Sequence, residues 1–368
     1  MQNRDSARLK SRLLVSGKSN GRRMTGQLKR RVKRAAIGAG LELSWLIAAA
    51  GLMRQARGRG VVFTLHHVRP HVPEAFEPNA HLEITPDFLD TALRRLKREG
   101  YRFVRLDQVP ALLAEPEGGK PFAAFTLDDG YINNLEHALP VFEQHRAPFT
   151  VFVAKGFAEG SHSIWWETLA VLLRRSGELR FDFGRGSERL ALVNPQQQWD
   201  AFDRFAGFIH RSDEARAVAA IDMLARENGI EPTDITRALV MEAGQLQRLA
   251  THPLATLGAH TISHRALARL PEAEARIEMQ VSADYVEAVT GIRPKTIAYP
   301  YGTPEAATSR EAAIARNLGF ELAVTTQPGL PAVAQTAYLS RISLNGFYQK
   351  RRYVSALASG IPLKLMGK

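Results

Sequence analysis

At 368 residues with 45% apolar side chains, the chain can bury a substantial core, which excludes a disordered or fibrous protein. It has no cysteine. That excludes a disulfide framework and any thiolate metal site, leaves His, Asp and Glu as the available metal ligands, and fits a reducing compartment. The formal charge of +12 is unevenly placed: residues 1–60 hold 15 Lys and Arg against Asp5 and Glu42, while residues 61–368 are close to neutral.

The basic cluster Lys29-Arg-Arg-Val-Lys-Arg34 runs into residues 35–53, a largely apolar stretch with Trp45 near its middle. A cleaved signal is a poor reading, because the basic region is too long, Glu42 interrupts the apolar part, and Arg54, Arg57 and Arg59 stand where cleavage would occur. The pattern predicts a helix lying on an anionic membrane surface, with a membrane span or a helix packed on the body as alternatives. No aromatic residues interleave with the basic ones, so a nucleic-acid arm is not expected. An arm of this kind without a signal places the chain in the cytoplasm or on the cytoplasmic face of the inner membrane.

From residue 61 the periodicity alternates. Residues 61–65 read as a first strand ending at His66-His67. Residues 68–84 form a loop, and Thr85-Pro86-Asp87 opens a helix with an apolar stripe through Phe88, Leu89, Ala92, Leu93 and Leu96, ended by Gly100. Strands follow at 103–106 and 121–127, then a helix over 131–144 and a strand at 149–153. Residues 157–250 break this rhythm with helices at about 164–175, 197–229 and 242–250 and a hairpin over 179–192 around Gly184 and Gly186. The rhythm resumes with strands at 254–259, 296–299 and 320–325. Helices are expected at 271–289, with Ala273, Ile277, Val281 and Ala288 on one face, and at 305–318. Residues from 347 form a basic, peripheral tail. Strand–helix alternation predicts parallel strands with helical crossovers, hence a barrel-like α/β body over 61–350 with a largely helical insertion at 157–250, an arm at 1–60 and a tail at 351–368.

Three strand ends carry chemistry. The first is Thr126-Leu-Asp-Asp-Gly130, where two carboxylates end a buried apolar run; taken alone, Asp128 reads as a turn residue and Asp129 as a helix cap. The second, His260-Thr-Ile-Ser-His264, has two imidazoles four apart, which on a helical turn would face one metal ion. The third is Tyr299-Pro-Tyr-Gly302, by itself a rigid turn. Together they set an Asp, as a candidate third metal ligand, and the two imidazoles at strand ends, where α/β enzymes keep their sites.

In these three motifs the chain resembles the polysaccharide deacetylases, carbohydrate esterase family 4, including nodulation-type chitooligosaccharide deacetylases. Leu127 stands where that family has Phe, and Ala298 stands where its third motif has an arginine. The resemblance implies a distorted (β/α) barrel and a metal-dependent hydrolase that removes N-acetyl groups from an amino-sugar polysaccharide, oligosaccharide or lipid-linked glycan. It implies Asp129, His260 and His264 as ligands of a divalent metal, usually Zn²⁺, Asp128 as general base, and the Tyr301 backbone N–H as oxyanion contact. The family arginine orients the base; Arg341 is the candidate substitute. The family's late histidine is missing, since no His follows His264, so His66 is the candidate general acid, with His67 its rival. Trp165, Tyr299 and Pro300 are candidate substrate contacts. The competing functions are an inactive carbohydrate-binding relative, motivated by Ala298 and the missing histidine, and an O-acetyl esterase or amidase using the same site.

Overall fold

The computed structural model describes residues 25–115 and 119–367. The chain divides into two units, 1–40 and 41–368. The first is helical from Thr25, the start of the helix Thr25–Ala49; the first 24 residues of the predicted arm lie outside the described residues. No helix among the described residues is long and apolar enough to cross a membrane.

The body is built on eight strands: β1 (Gly60–Leu65), β2 (Arg102–Phe103), β3 (Phe122–Leu127), β4 (Phe149–Val153), β5 (Ala255–Ala259), β6 (Thr296–Ala298), β7 (Leu322–Val324) and β8 (Ile342–Ser343). They pair in the order β7-β6-β5-β4-β3-β1-β8, with β2 beside the first residues of β3, and every pairing is parallel. Every residue of β1, β3 and β4 is buried, as expected of parallel strands covered on both faces and rich in Val, Phe and Ala. The curled sheet closes through the stretch after β7. Leu339 bridges to Val324 and Ile342 pairs with Phe63, so residues 339–343 span the gap between β7 and β1. Arg341 sits in the middle of that closure. At two residues, β8 carries no periodicity to read, and it is the one strand of the sheet not predicted.

Three expectations are corrected. The helix Glu272–Thr290 buries Ala275, Met279, Ala283 and Val286, so the stripe predicted through Ala273, Ile277, Val281 and Ala288 lies off its core face and Ile277 is exposed. The buried face was hard to read because it also carries Glu278 and Ser282, both buried. The tail is not peripheral: helix Arg351–Ala358 buries Tyr353, Val354 and Ala356, and Ala358 accepts a hydrogen bond from the Tyr101 hydroxyl at 2.6 Å. The helix predicted over 131–144 opens instead with a π-turn, Asn134–Ala138, before Leu139–His145, a departure common beside functional sites. The region 157–250 folds around its own apolar cluster, including Leu169, Leu172, Phe205, Ile209 and Ile221. It holds the expected hairpin, Glu178–Asp182 with Ser187–Ala191.

Candidate active site

The C-terminal ends of β1, β3, β5 and β6 meet at a cleft of about 410 Å³ lined by His66, Asp128, Asp129, His260, His264 and Tyr301, with Trp165 and Trp166 from the insertion. Backbone conformation is unusual here. Of the six non-glycine residues with positive φ among the described residues, four are Asp129 (φ 72°), Thr261 (φ 68°), His264 (φ 56°) and Tyr301 (φ 59°). Such conformations cost about 1–3 kcal/mol each and persist where surrounding contacts over-determine them. The contacts are present. Glu278 accepts from the N–H groups of Ile262 and Ser263 at 2.8 and 2.9 Å, Ser282 Oγ accepts from His260 N–H at 3.1 Å, and the Thr326 hydroxyl donates to the Tyr301 carbonyl. The segment 260–264 is therefore a loop tied down by buried polar groups, not the helical turn expected from the His spacing.

Asp128 is held by Arg341. The guanidinium donates from Nη1 to Oδ1 at 2.7 Å and from Nη2 to Oδ2 at 2.6 Å, and its remaining donors reach the Thr126 hydroxyl at 2.9 Å and the Thr325 carbonyl at 2.7 Å. Both residues are buried, and a bidentate fork is the geometry in which an arginine fixes a carboxylate. Burial alone pushes the Asp128 carboxyl up, but the charge and hydrogen bonds of Arg341 outweigh it and hold the group below the ordinary carboxylate range. Ala298, where the family arginine would stand, is buried on β6, and its carbonyl accepts from His260 Nδ1 at 2.7 Å.

That bond places a proton on His260 Nδ1 and turns Nε2 toward Asp129. His260 Nε2 and His264 Nε2 each lie 3.4 Å from Asp129 Oδ1, a buried oxygen with no hydrogen-bond partner among the described residues. Two bonds of about 2.0–2.1 Å in a tetrahedral zinc site subtend about 3.3–3.4 Å, so these three atoms fit a divalent ion. Burial pushes the His264 imidazole down to about 4, which keeps it neutral and able to ligate. Burial also raises the Asp129 carboxyl on its own, but the neighbouring imidazoles bring it well below its usual range.

His66 Nε2 lies 4.0 Å from Asp128 Oδ2 and lines the cleft; burial depresses its imidazole despite the two carboxylates nearby. The rival, His67, is fully buried, stacked on Tyr131 at 3.6 Å and bonded through Nδ1 to Asn133 at 2.8 Å, which makes it part of the core. Two further expectations are corrected. Tyr299 is buried with its hydroxyl donating to the Ala337 carbonyl at 2.9 Å, and Pro300 is buried and off the cleft lining. Strand alternation would put Tyr299 and Tyr301 on one face; the strand ends at Ala298 and the left-handed backbone at Tyr301 (φ 59°) breaks the alternation, so Tyr301 lines the cleft while Tyr299 stays buried.

Residues 218–323, which hold the two histidines and the Tyr-Pro-Tyr turn, match the family model for polysaccharide deacetylase. Over that span, less than a third of the chain, it is similar to the polysaccharide deacetylase family. Its fold is similar to that of the deacetylase PplD of Streptococcus pyogenes, solved in complex with acetate. The identity is 20% and the TM-score 0.52, over 78% of this chain and 92% of that one. It is also similar to IcaB from Ammonifex degensii, at 18% identity and TM-score 0.50 over 81% and 97%. No curated protein sequence matches the chain.

Sequence reasoning missed several residues at this site, among them Phe202 and His210 on the cleft wall and Glu214, bonded to Tyr301. Glu214, buried at the first turn of helix Glu214–Glu227 in the insertion, accepts the Tyr301 hydroxyl at 2.7 Å through Oε1 and the Ala266 N–H at 3.0 Å through Oε2, while Trp165 Nε1–H donates to the same Tyr301 hydroxyl at 3.0 Å. In sequence Glu214 is only an acid after the helix cap Asp213, and nothing in its spacing points to a strand end 87 residues away.

Proposed function

We propose that the protein is a divalent-metal-dependent N-deacetylase, most simply a Zn²⁺ enzyme, acting on an N-acetylated amino sugar in a polysaccharide, oligosaccharide or lipid-linked glycan. The observation that carries this reading is the buried Asp129 Oδ1, without a hydrogen-bond partner among the described residues, with the Nε2 atoms of His260 and His264 each 3.4 Å away, one residue from an arginine-clamped carboxylate. Asp129, His260 and His264 would hold the ion, which when bound would act as a Lewis acid toward the amide carbonyl and acidify a water. Asp128, kept ionised and oriented by Arg341, takes the proton of the water that adds to the carbonyl carbon. The Tyr301 N–H, which no acceptor takes among the described residues, stabilises the oxyanion. The C–N bond then breaks and the nitrogen leaves with a proton. Neutral in its buried setting and 4.0 Å from Asp128, His66 is placed to receive the proton that the base collects and pass it to that nitrogen. The products are an amine and acetate. Trp165 and Trp166 supply ring faces for a sugar, in a cleft within the size range of small-ligand sites.

The test is acetate release from N-acetylated chitooligosaccharides by zinc-loaded protein, before and after chelation, with metal content measured alongside. The expected result is an amine product, lost on chelation and restored by Zn²⁺. Stoichiometric metal with no acetate from any N-acetylated glycan would overturn the reading in favour of a binding protein, and release only from O-acetylated substrates would make it an esterase.

A further inference from the structure

At the other end of the barrel, by the N-terminal ends of β1 and β2, lies a second concavity of about 350 Å³. Its walls include Trp45, Leu52 and Ile361, and Arg54, Arg57 and Arg95 are its cations. Arg95 is bonded to Glu99 at 2.8 Å, and the Arg57 guanidinium lies 5.8 Å from the Tyr101 ring. Glu99 is the only acid in the lining, so the concavity is net positive.

On the helix that carries Trp45 and the turn that follows it, Leu43, Leu46, Leu52 and Met53 are 51%, 55%, 59% and 43% exposed, and Leu52 and Met53 line the concavity. The other side of the same helix explains why. Leu41 and Ser44 are buried, Leu41 and Trp45 pack against the cluster of Tyr353 and Ala356, and Glu42 bonds to Arg352 and Tyr353. The helix spends its inner face on the C-terminal helix and leaves an apolar outer face beside the arginines. Isolated exposed leucines need no explanation, but four large apolar side chains within residues 43–53, next to uncompensated cations, do.

We propose that this face docks on an anionic lipid bilayer, with the apolar side chains entering the headgroup boundary and Arg54 and Arg57 taking lipid phosphates. Charge selects this occupant. Residues 43–59 contain three arginines and no acid; a second copy placed two-fold on the same patch would set arginine against arginine, and a nucleic acid offers nothing to the exposed leucines. Amphipathic surfaces of this composition bind anionic membranes through apolar burial plus attraction of the cations. Docked by this end, the catalytic cleft opens away from the bilayer, so the sugar attacked stands off the surface rather than next to a lipid headgroup.

The test uses the full chain in flotation with vesicles of phosphatidylcholine alone or mixed with phosphatidylglycerol. The expected result is flotation with the anionic vesicles only, released by high salt. Arg54→Ala with Arg57→Ala should weaken binding about twenty-five-fold, roughly fivefold per arginine, and Leu46→Ser with Leu52→Ser should weaken it further, while thermal unfolding and acetate release from a soluble glycan stay unchanged. Variants that float as well as the parent would overturn the proposal by assigning binding to the basic arm. Absence of flotation, or concentration-dependent dimerisation lost in the leucine variant, would overturn it as well.

Discussion

The barrel rim and the insertion contribute to the same cleft in opposite ways. The rim presents Asp129, His264 and Tyr301 on left-handed backbone at strand ends, where sub-ångström placement is enforced by buried acceptors such as Glu278 and Ser282. The insertion presents Trp165, Trp166, Phe202 and His210 to the cleft on ordinary helices, with Glu214 off the lining and bonded to the Tyr301 hydroxyl, and these helices pack on an apolar cluster. Strained strand ends supply groups whose position is the chemistry; regular helices supply a wall that fits the substrate and steadies the rim. Substitutions at the rim should therefore abolish turnover, and substitutions in the insertion should tune it.

The largest effects test the rim. Asp129→Ala should lose both bound metal and acetate release, whereas Asp128→Asn should keep the metal and lose about 10²–10⁴-fold in kcat, the usual share of a general base. Metal analysis beside kinetics separates the two; equal metal loss in both variants would break the assignment of one carboxylate to the ion and the other to the proton. Arg341→Ala removes the only guanidinium bonded to Asp128 among the described residues and leaves a buried carboxylate uncompensated, a cost of about 3–5 kcal/mol, read as a lowered unfolding midpoint. Arg341→Lys restores charge without the fork and should recover only part of kcat. Full activity in Arg341→Ala would show that Asp128 needs no orienting partner.

The same division governs what could be read in advance. Long, fully buried strands such as Phe122–Leu127 and Phe149–Val153 announce themselves, as do chemical groups gathered in short motifs, because their spacing is local. Arg341 was a candidate only because the family arginine was absent; its pairing with Asp128 depends on a two-residue strand that closes the barrel, and no periodicity predicts that. The helix Glu272–Thr290 was read on the wrong face for a related reason. Its core side carries Glu278 and Ser282 to hold the histidine loop, so the functional demand overrode the apolar pattern. Glu214 was invisible because its partner, Tyr301, is remote in sequence and its own surroundings describe only a helix start.

The smallest effects fall in the insertion, and they decide whether it merely covers the cleft or positions the rim. Glu214→Gln keeps the shape but leaves one carbonyl oxygen to serve both the Tyr301 hydroxyl and the Ala266 N–H, which now occupy separate carboxylate oxygens. One of them loses a good acceptor, at about 1–3 kcal/mol. If that loosens the left-handed turn at Tyr301, kcat should fall about tenfold, equivalent to about 1.4 kcal/mol, with KM and metal content unchanged. A rise in KM at constant kcat would instead place Glu214 in substrate binding. Trp165→Phe removes only the Nε1–H bond to the Tyr301 hydroxyl and keeps a ring in the cleft, so its kcat should drop a few-fold, matching one neutral hydrogen bond of about 0.5–1.5 kcal/mol. Trp165→Ala removes the ring as well, and its added loss should appear in KM. If both Trp165 variants change only KM, the insertion is a binding wall and the Tyr301 turn stands on the barrel alone.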